Sequence, residues 1–270
     1  MYYLSNVIFT QNDAKILNEH IALHRSLGVE YFIVYDETTY PPYPRDVLKG
    51  QNDVLIIDTK LDDAHNAHRH YEEAAKYLTG KSYWVIYNDT DEMLIPVKTN
   101  DLRDMMEYYE DCAQVGFCWL TFGSNFLEKE PECSVFEAFT KRSDFSARIN
   151  GGYKVVVKPE EVVSTINSHS FVIKTNPQKV NENKEIITND CIISPGIHNI
   201  GFTAHYRARS REYFEKVRRP RMQRILRADD NKPLLNFRGS YPESWSVEDN
   251  DIEDLRVRNL YLRLVKGEKL

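Results

Sequence analysis

Three carboxylates in four residues, Asp89-Thr90-Asp91-Glu92, follow directly on the apolar run Trp84-Val85-Ile86-Tyr87, and Met93-Leu94-Ile95 come after them. An apolar run bounded by polar residues reads as a buried strand, and ionised carboxylates cannot share its burial, so the acids are expected at the strand's carboxyl end. So dense a negative cluster is costly without a cation or a proton. Hard divalent ions such as Mg²⁺ or Mn²⁺ take carboxylate oxygens while bridging substrate phosphates, so Asp89 and Asp91 are expected to hold a metal against a diphosphate. His205, ending a later strand, is a candidate third ligand; the alternative is a histidine that bonds to backbone. Asp36, ending a neighbouring strand, fits either a ribose or base contact or a turn, and Arg69 fits either a phosphate contact or a solvated helix face. His65, His68 and His70 do not make a zinc set, because helical spacing puts only the first two on one face and no HExxH pattern is present.

These groups need a frame to hold them. Tyr2 to Phe9 reads as a strand, closed by Thr10-Gln11-Asn12-Asp13, with Asp13 expected to cap a helix that buries Ile16, Leu17, His20, Ile21, His24 and Leu27 and stops at Gly28. Tyr31 to Tyr35 and Val54 to Ile57 are further strands, ending on Asp36 and Asp58, with a proline loop at Tyr40 to Pro44 between them. A helix from Ala64 to Leu78 precedes the acidic strand. Strand-helix alternation of this kind implies a largely parallel sheet with right-handed crossovers, and ligands bind such sheets at the carboxyl ends of the strands. Beyond Pro96 the expected elements are a short helix at Asp101 to Tyr109, a strand at Val115 to Phe122, a polar loop at Asn125 to Pro131 and a short helix at Ser134 to Lys141. Short strands are expected at Tyr153 to Lys158 and Phe171 to Lys174, a mobile polar excursion at Asn176 to Asn189, and a last strand at Asn199 to Tyr206. Residues 210–227 read as a basic helix kinked or broken at Pro220, followed by a terminal helix with a capping box at Ser246 to Asp249.

Composition sets outer bounds. The chain has 270 residues, of which 41% are hydrophobic and 28% charged, with a net charge of −6 and a pI near 5.8, which excludes nucleic acid as the main partner. Cys112, Cys118, Cys133 and Cys191 form no CxxC and are expected to be reduced thiols. The N-terminus has no basic leader and no apolar run is long enough to span a bilayer, which points to a cytoplasmic protein. The basic segment 207–227 is either a solvated helix paired with the acids at 248–254 or a surface for anionic lipid that would hold the protein on the inner face of a membrane.

The order of Asn12-Asp13 after the first strand, Gly28-Val29-Glu30-Tyr31-Phe32 leading to Tyr35-Asp36, the Trp84 to Glu92 stretch, Trp119 to Ser124, Lys154 to Pro159 and His205-Tyr206 resembles the GT-A glycosyltransferases, family 92 and its family 2-like relatives above all, over about residues 1–220. The resemblance implies a GT-A-like, mainly parallel α/β sheet as a catalytic domain at 1–206, with a helical extension at 207–270. It implies a metal-dependent, inverting transfer of sugar from a nucleoside-diphosphate sugar, UDP-linked, to a hydroxyl of a glycan or lipid-linked glycan. In that reading Asp89, Asp91 and His205 hold Mn²⁺ or Mg²⁺, Asn12 and Asp36 face the nucleoside, Trp119 and Ser124 face sugar and acceptor, and Lys154 or Lys158 stabilises the leaving phosphate. The general base is sought among Glu128, Glu130, Glu132 and Glu137, with Glu132 chosen. Where the family commonly has Lys-Asn-Glu, this chain has Gln11-Asn12-Asp13. The alternatives are a sugar nucleotidyltransferase, disfavoured because Thr10 to Asp13 lacks a glycine for close phosphate approach, and a binding module without turnover.

Overall fold

The computed structural model describes residues 1–59, 67–174, 178–221, 223 and 249–268. Two units make up the chain: Met1–Leu120 with Ser146–Ala204, and Thr121–Phe145 with His205–Leu270. The first unit opens as its alternation predicts, with β1 (Tyr2–Thr10), α1 (Ala14–Ser26), β2 (Tyr31–Asp36), α2 (Pro44–Val47), β3 (Val54–Asp58), α3 (Ala67–Leu78), β4 (Ser82–Asp89), β5 (Glu92–Pro96), α4 (Leu102–Glu107) and β6 (Gln114–Thr121). β7 (Lys141–Arg142) follows α5 (Val135–Ala138); β8 (Tyr153–Val157), β9 (Val162–Asn167), β10 (Ser170–Ile173), β11 (Lys179–Asn181) and β12 (Gly201–His205) come next. The chain closes with α6 (Arg211–Tyr213), β13 (Ile252–Glu253) and α7 (Arg256–Leu264).

The main sheet runs β3-β2-β1-β4-β8-β6-β12-β5, with β11 paired to β6. β3, β2, β1 and β4 are mutually parallel, as the strand-helix rhythm requires, whereas β8 pairs antiparallel with both β4 and β6. The sheet is therefore an α/β sheet with a parallel half and a mixed half. Side chains alternate across it: Val7 and Phe9 of β1 pack with Tyr71, Ala74 and Leu78 of α3, while the preceding Asn6 turns to His20 and His24 of α1. The stripe Ile16, Leu17, His20, Ile21, His24 and Leu27 is buried, and Gly28, at φ 96°, ends the helix in a conformation that favours glycine. Asp13 occupies the N-cap position without a side-chain hydrogen bond to the helix, unlike Asp101, which accepts from the N–H of Arg103.

Three expectations need correction. The polar run 176–189 is not an excursion where it is described: β11 pairs parallel with β6, and Asn181 closes a turn by accepting from the N–H groups of Asn183 and Glu185. Its polarity reflects internal hydrogen bonding rather than mobility, since the buried Glu182 accepts from the N–H groups of Asn199, Ile200 and Gly201. β9, which forms a hairpin with β10, escaped notice because Val162, Val163 and Ile166 follow no clean alternation. Of the two outcomes expected at Pro220, the break does not occur: the helix from Arg211 continues to Arg221, distorted by a widened turn at Phe214–Arg218, because proline supplies no N–H to the preceding turn and the wider turn absorbs the misfit. Ser246, Arg224 and Arg227 lie outside the described residues, as does His65.

In the second unit Phe122 stacks on Tyr206 at 4.7 Å between centroids, and Phe136 meets both Tyr206 and Tyr261. Arg142 and Asp254, each 6% exposed, pair at 2.7 Å and tie β7 to the start of α7, with Arg256 on the same carboxylate. Basic side chains of the 207–221 stretch are matched locally: Arg207 with Asp249, Arg209 with Glu130, Arg211 with Glu128, Lys216 with Glu212 and Arg219 with Glu215. Ion pairing thus accounts for these five side chains, although Arg209 is buried and Arg207 half-buried rather than solvated, and four of the five acids come from the 128–130 loop and from the helix itself rather than from 248–254. Among the described residues no helix is long and apolar enough to cross a membrane.

Candidate active site

Parallel pairing sets the carboxylates side by side. In register, Phe9 is opposite Asp89, Thr10 opposite Asp36, and Asp36 opposite Asp58, so three acids mark the carboxyl edge of β4, β2 and β3. β4 then ends in a two-residue turn, Thr90-Asp91, before β5 carries the chain back inward, fully buried from Glu92 to Pro96. That turn is held from below. The Thr90 N–H donates to the Phe9 carbonyl at 3.0 Å, and the Thr90 carbonyl lies 3.0 Å from His20 Nδ1, which must carry the proton because a carbonyl can only accept. The Leu94 N–H donates to His24 Nε2 at 3.1 Å, and the Asn6 amide lies 3.1 Å from each ring. Asn6, His20 and His24 are wholly buried. Burial pushes the His20 imidazole down to about 4 and holds His24 well below the ordinary histidine range, so both are neutral hydrogen-bonding groups at physiological pH.

The acids divide their work. Glu92, 1% exposed, accepts from the Asp89 N–H at 2.9 Å, and its own carbonyl accepts from Asn88 Nδ2 at 2.8 Å. Lys154 Nζ stands 3.2 Å from Asp89 Oδ2 and 3.1 Å from Glu92 Oε2. Burial alone would lower the Lys154 ammonium, but Asp89 and Glu92 outweigh it and hold the group well above the ordinary lysine range. Lys154 is therefore a resident counter-charge of the acidic turn, a role its place in β8 gave no hint of. Glu92 braces the turn, while Asp89, 29% exposed, is the member open to a ligand. Asp91 is buried to 6% exposure, close enough to His20 for its charge to be felt there.

At the ends of β1 and β2, Asn12 sits at φ 55° and its Oδ1 accepts from the Thr39 N–H at 2.7 Å, while Asp36 Oδ1 accepts from the Thr38 N–H at 2.7 Å. Burial raises the Asp36 carboxyl, with the Thr38 bonds opposing. Both expected nucleoside residues thus shape one loop, and they are joined there by a residue that sequence reasoning missed: Glu37, 2% exposed, which accepts from Gln11 Nε2 at 2.9 Å. An acid directly after Asp36 was its available signal. Arg69 is exposed on α3. Trp119 is half-buried on β6 with its indole laid on Gly152, where a Cβ would fall 2.2 Å from the ring; its carbonyl accepts from His198 Nε2 at 2.7 Å.

In the second unit His205 is buried at the end of β12, and its carbonyl accepts from the Phe122 N–H at 2.9 Å. Ser124 is fully buried, its Oγ accepting from the Phe126 N–H at 3.1 Å. Of the base candidates, Glu130 is bound by Arg209 and Ser210, Glu137 by Lys266 at 2.6 Å, and Glu132 is exposed. Among the described residues no group of three or more His, Cys, Asp and Glu side chains converges as a metal cage. The carboxylate oxygens of Asp89 and Asp91 still fit a hard cation chemically, since Mg²⁺ and Mn²⁺ usually take only one or two protein carboxylates and complete their shell with phosphate and water.

Residues 4–194 match the model for glycosyltransferase family 92. A glycosyltransferase family 92 protein of Ricinus communis is 23% identical over 281 residues, an alignment that covers 94% of this chain and 46% of the relative. The chain spans about half the length of the curated relative it matches. Among solved structures, a 4-diphosphocytidyl-2C-methyl-D-erythritol synthase aligns with a TM-score of 0.38 at 11% identity, covering 60% of this chain and 78% of its own. A cytidylyltransferase from Leptospira borgpetersenii serovar Hardjo-bovis aligns with a TM-score of 0.33 at 14% identity, covering 59% and 61%.

Proposed function

This chain belongs to glycosyltransferase family 92, and we propose that it moves a sugar from a nucleoside-diphosphate sugar, UDP-linked, to a hydroxyl of a glycan or lipid-linked glycan, with inversion. The observation that carries this reading is the braced acidic turn at the carboxyl edge of β4, with Asp89 partly open and Lys154 and Glu92 locked behind it. Asp89 and Asp91 would hold Mn²⁺ or Mg²⁺, and the ion would neutralise charge on the departing diphosphate. The loop of Asn12, Asp36 and Glu37 offers the nucleoside a wall of polar groups already fixed by Thr39, Thr38 and Gln11 respectively. Lys154 keeps the turn from carrying three uncompensated charges and so holds it in shape before the donor arrives. Arg69 is an exposed cation that a phosphate can recruit. Transfer needs a base for the acceptor hydroxyl, and Glu132 keeps that role because it is exposed, whereas Glu130 is bound by Arg209 and Glu137 by Lys266.

A thermal-shift series tests the proposal. UDP with Mn²⁺ raises the melting temperature of the wild type, because a ligand of the native state stabilises it by mass action, and Asp91→Ala abolishes the rise. If neither UDP nor any other nucleoside diphosphate shifts the wild type in the presence of metal, the donor assignment fails.

A further inference from the structure

In the turn at residues 124–127, conformation and composition disagree. Asn125 and Phe126 are consecutive left-handed residues, at φ 47° and 60°. Glycine enters that region freely and asparagine tolerates it, but a bulky side chain does so only under strain. Asn125 is accounted for by its bonds. Its N–H donates to Asn250 Oδ1 at 2.8 Å, its amide to Thr140 Oγ1 at 3.1 Å, and its Oδ1 accepts from the Lys141 N–H at 2.8 Å. Phe126 has no such account. Any residue but proline would supply the N–H that reaches Ser124 Oγ, and a ring left 55% exposed returns little of the burial that normally places a phenylalanine. The side chain therefore runs against both the backbone preference and the hydrophobic effect, on a loop whose hydrogen bonds keep it rigid. Strained residues over-determined by their surroundings cluster at ligand clamps. The Lys141 ammonium stands 5.4 Å from the centre of the Phe126 ring.

We propose that Phe126 is a stacking platform for a pyranose ring of the acceptor glycan, its face meeting the apolar C–H face of the sugar, with Lys141 beside it as a donor to a sugar hydroxyl. That the sugar belongs to an acceptor rests on the transferase reading above. The physical advantage is preorganisation: a short side chain on an immobilised backbone surrenders little freedom when a ligand docks. Ser124, buried beneath the turn, then acts on the acceptor by holding Phe126 rather than by touching sugar.

Saturation-transfer NMR on the full chain tests this, with the methyl β-pyranosides of galactose, glucose and mannose as probes and UDP with Mn²⁺ measured separately. At least one pyranoside receives saturation at its ring protons in the wild type; the signal is lost in Phe126→Gly and kept in Phe126→Trp, while UDP signals are the same in all three. Phe126→Gly, free of the left-handed strain, melts at or above the wild-type temperature. No pyranoside signal in the wild type, an undiminished signal in Phe126→Gly, or a lower melting temperature for that variant each overturns the proposal. Loss of the UDP signal in Phe126→Gly overturns it too, by making the ring a nucleotide contact. Silence from UDP in the wild type with the pyranoside pattern intact would sink the donor assignment and leave Phe126 as a carbohydrate platform.

Discussion

Replacing Lys154 by methionine removes a buried cation while keeping most of the side-chain volume, and the structure says what is left behind. Glu92, 1% exposed, loses its partner at 3.1 Å, and Asp89, 29% exposed, loses one at 3.2 Å. Breaking a buried ion pair by deleting one member costs about 3–5 kcal/mol, because the remaining charge stays out of water unpaired. Asp89 can turn partly to solvent and adds little, so the lower end applies, near 3 kcal/mol, which corresponds to roughly a 6–12 °C fall in melting temperature for a chain of this size. Thermal unfolding with and without Mn²⁺ reads both halves of the argument. Lys154→Met melts well below the wild type in the absence of metal, and Mn²⁺ raises the variant more than it raises the wild type, since the variant's acids lack their resident counter-charge. Adding Glu92→Gln recovers most of the loss: both buried charges are gone, and the glutamine carbonyl oxygen still accepts from the Asp89 N–H. A Lys154→Met protein as stable as the wild type would refute the claim that this ammonium braces the acidic turn.

Two further perturbations address the elements beneath and beyond that turn. His20→Leu leaves the Thr90 carbonyl without its donor and should weaken UDP binding in the presence of Mn²⁺ while lowering stability by about 1–3 kcal/mol; His20→Asn, whose amide nitrogen can stand in for Nδ1, restores both in a calorimetric titration and a melt, and failure of that rescue would count against hydrogen bonding as the mechanism. For Asp254, burial opposes ionisation, but hydrogen bonds from Arg256 and Arg142 prevail and hold the carboxyl down at about 2. A depressed carboxyl contributes stability above its unfolded value near 4 that is lost as the pH falls through the folded one, so the wild type should exceed Asp254→Asn by about 2 kcal/mol at neutral pH, and the gap should close between about pH 4 and pH 2 in denaturant melts.

The parallel half of the sheet was legible because its signals are local. Apolar runs of strand length alternate with a helical stripe, three of the four runs end on an acid, and those acids collect at one edge of the sheet: Asp36 and Asp58 are opposite each other, and Asp89 lies one residue off, opposite Phe9. The mixed half was harder to read: β9 lacks alternation, and the polar character of 178–189 concealed β11, since Asn181 and Glu182 spend their hydrogen bonds on neighbouring backbone. The acidic turn itself was visible as a charge density that burial forbids unless something compensates it.

What compensates it was not visible. Pairing of β4 with β8 brings Lys154 to Asp89 and Glu92 from 65 and 62 residues away, and packing of α1 brings His20 under Thr90. By itself the sequence determined the order of strands and helices, the edge at which the acids collect and the family the chain resembles, because hydrophobic period and strand-end chemistry are written within a few residues of each other. Tertiary structure alone decided which acid is braced and which is open, which histidines are neutral props, and that Phe126 stands exposed in a strained turn, because each of these depends on partners brought together by the fold rather than on chain neighbours.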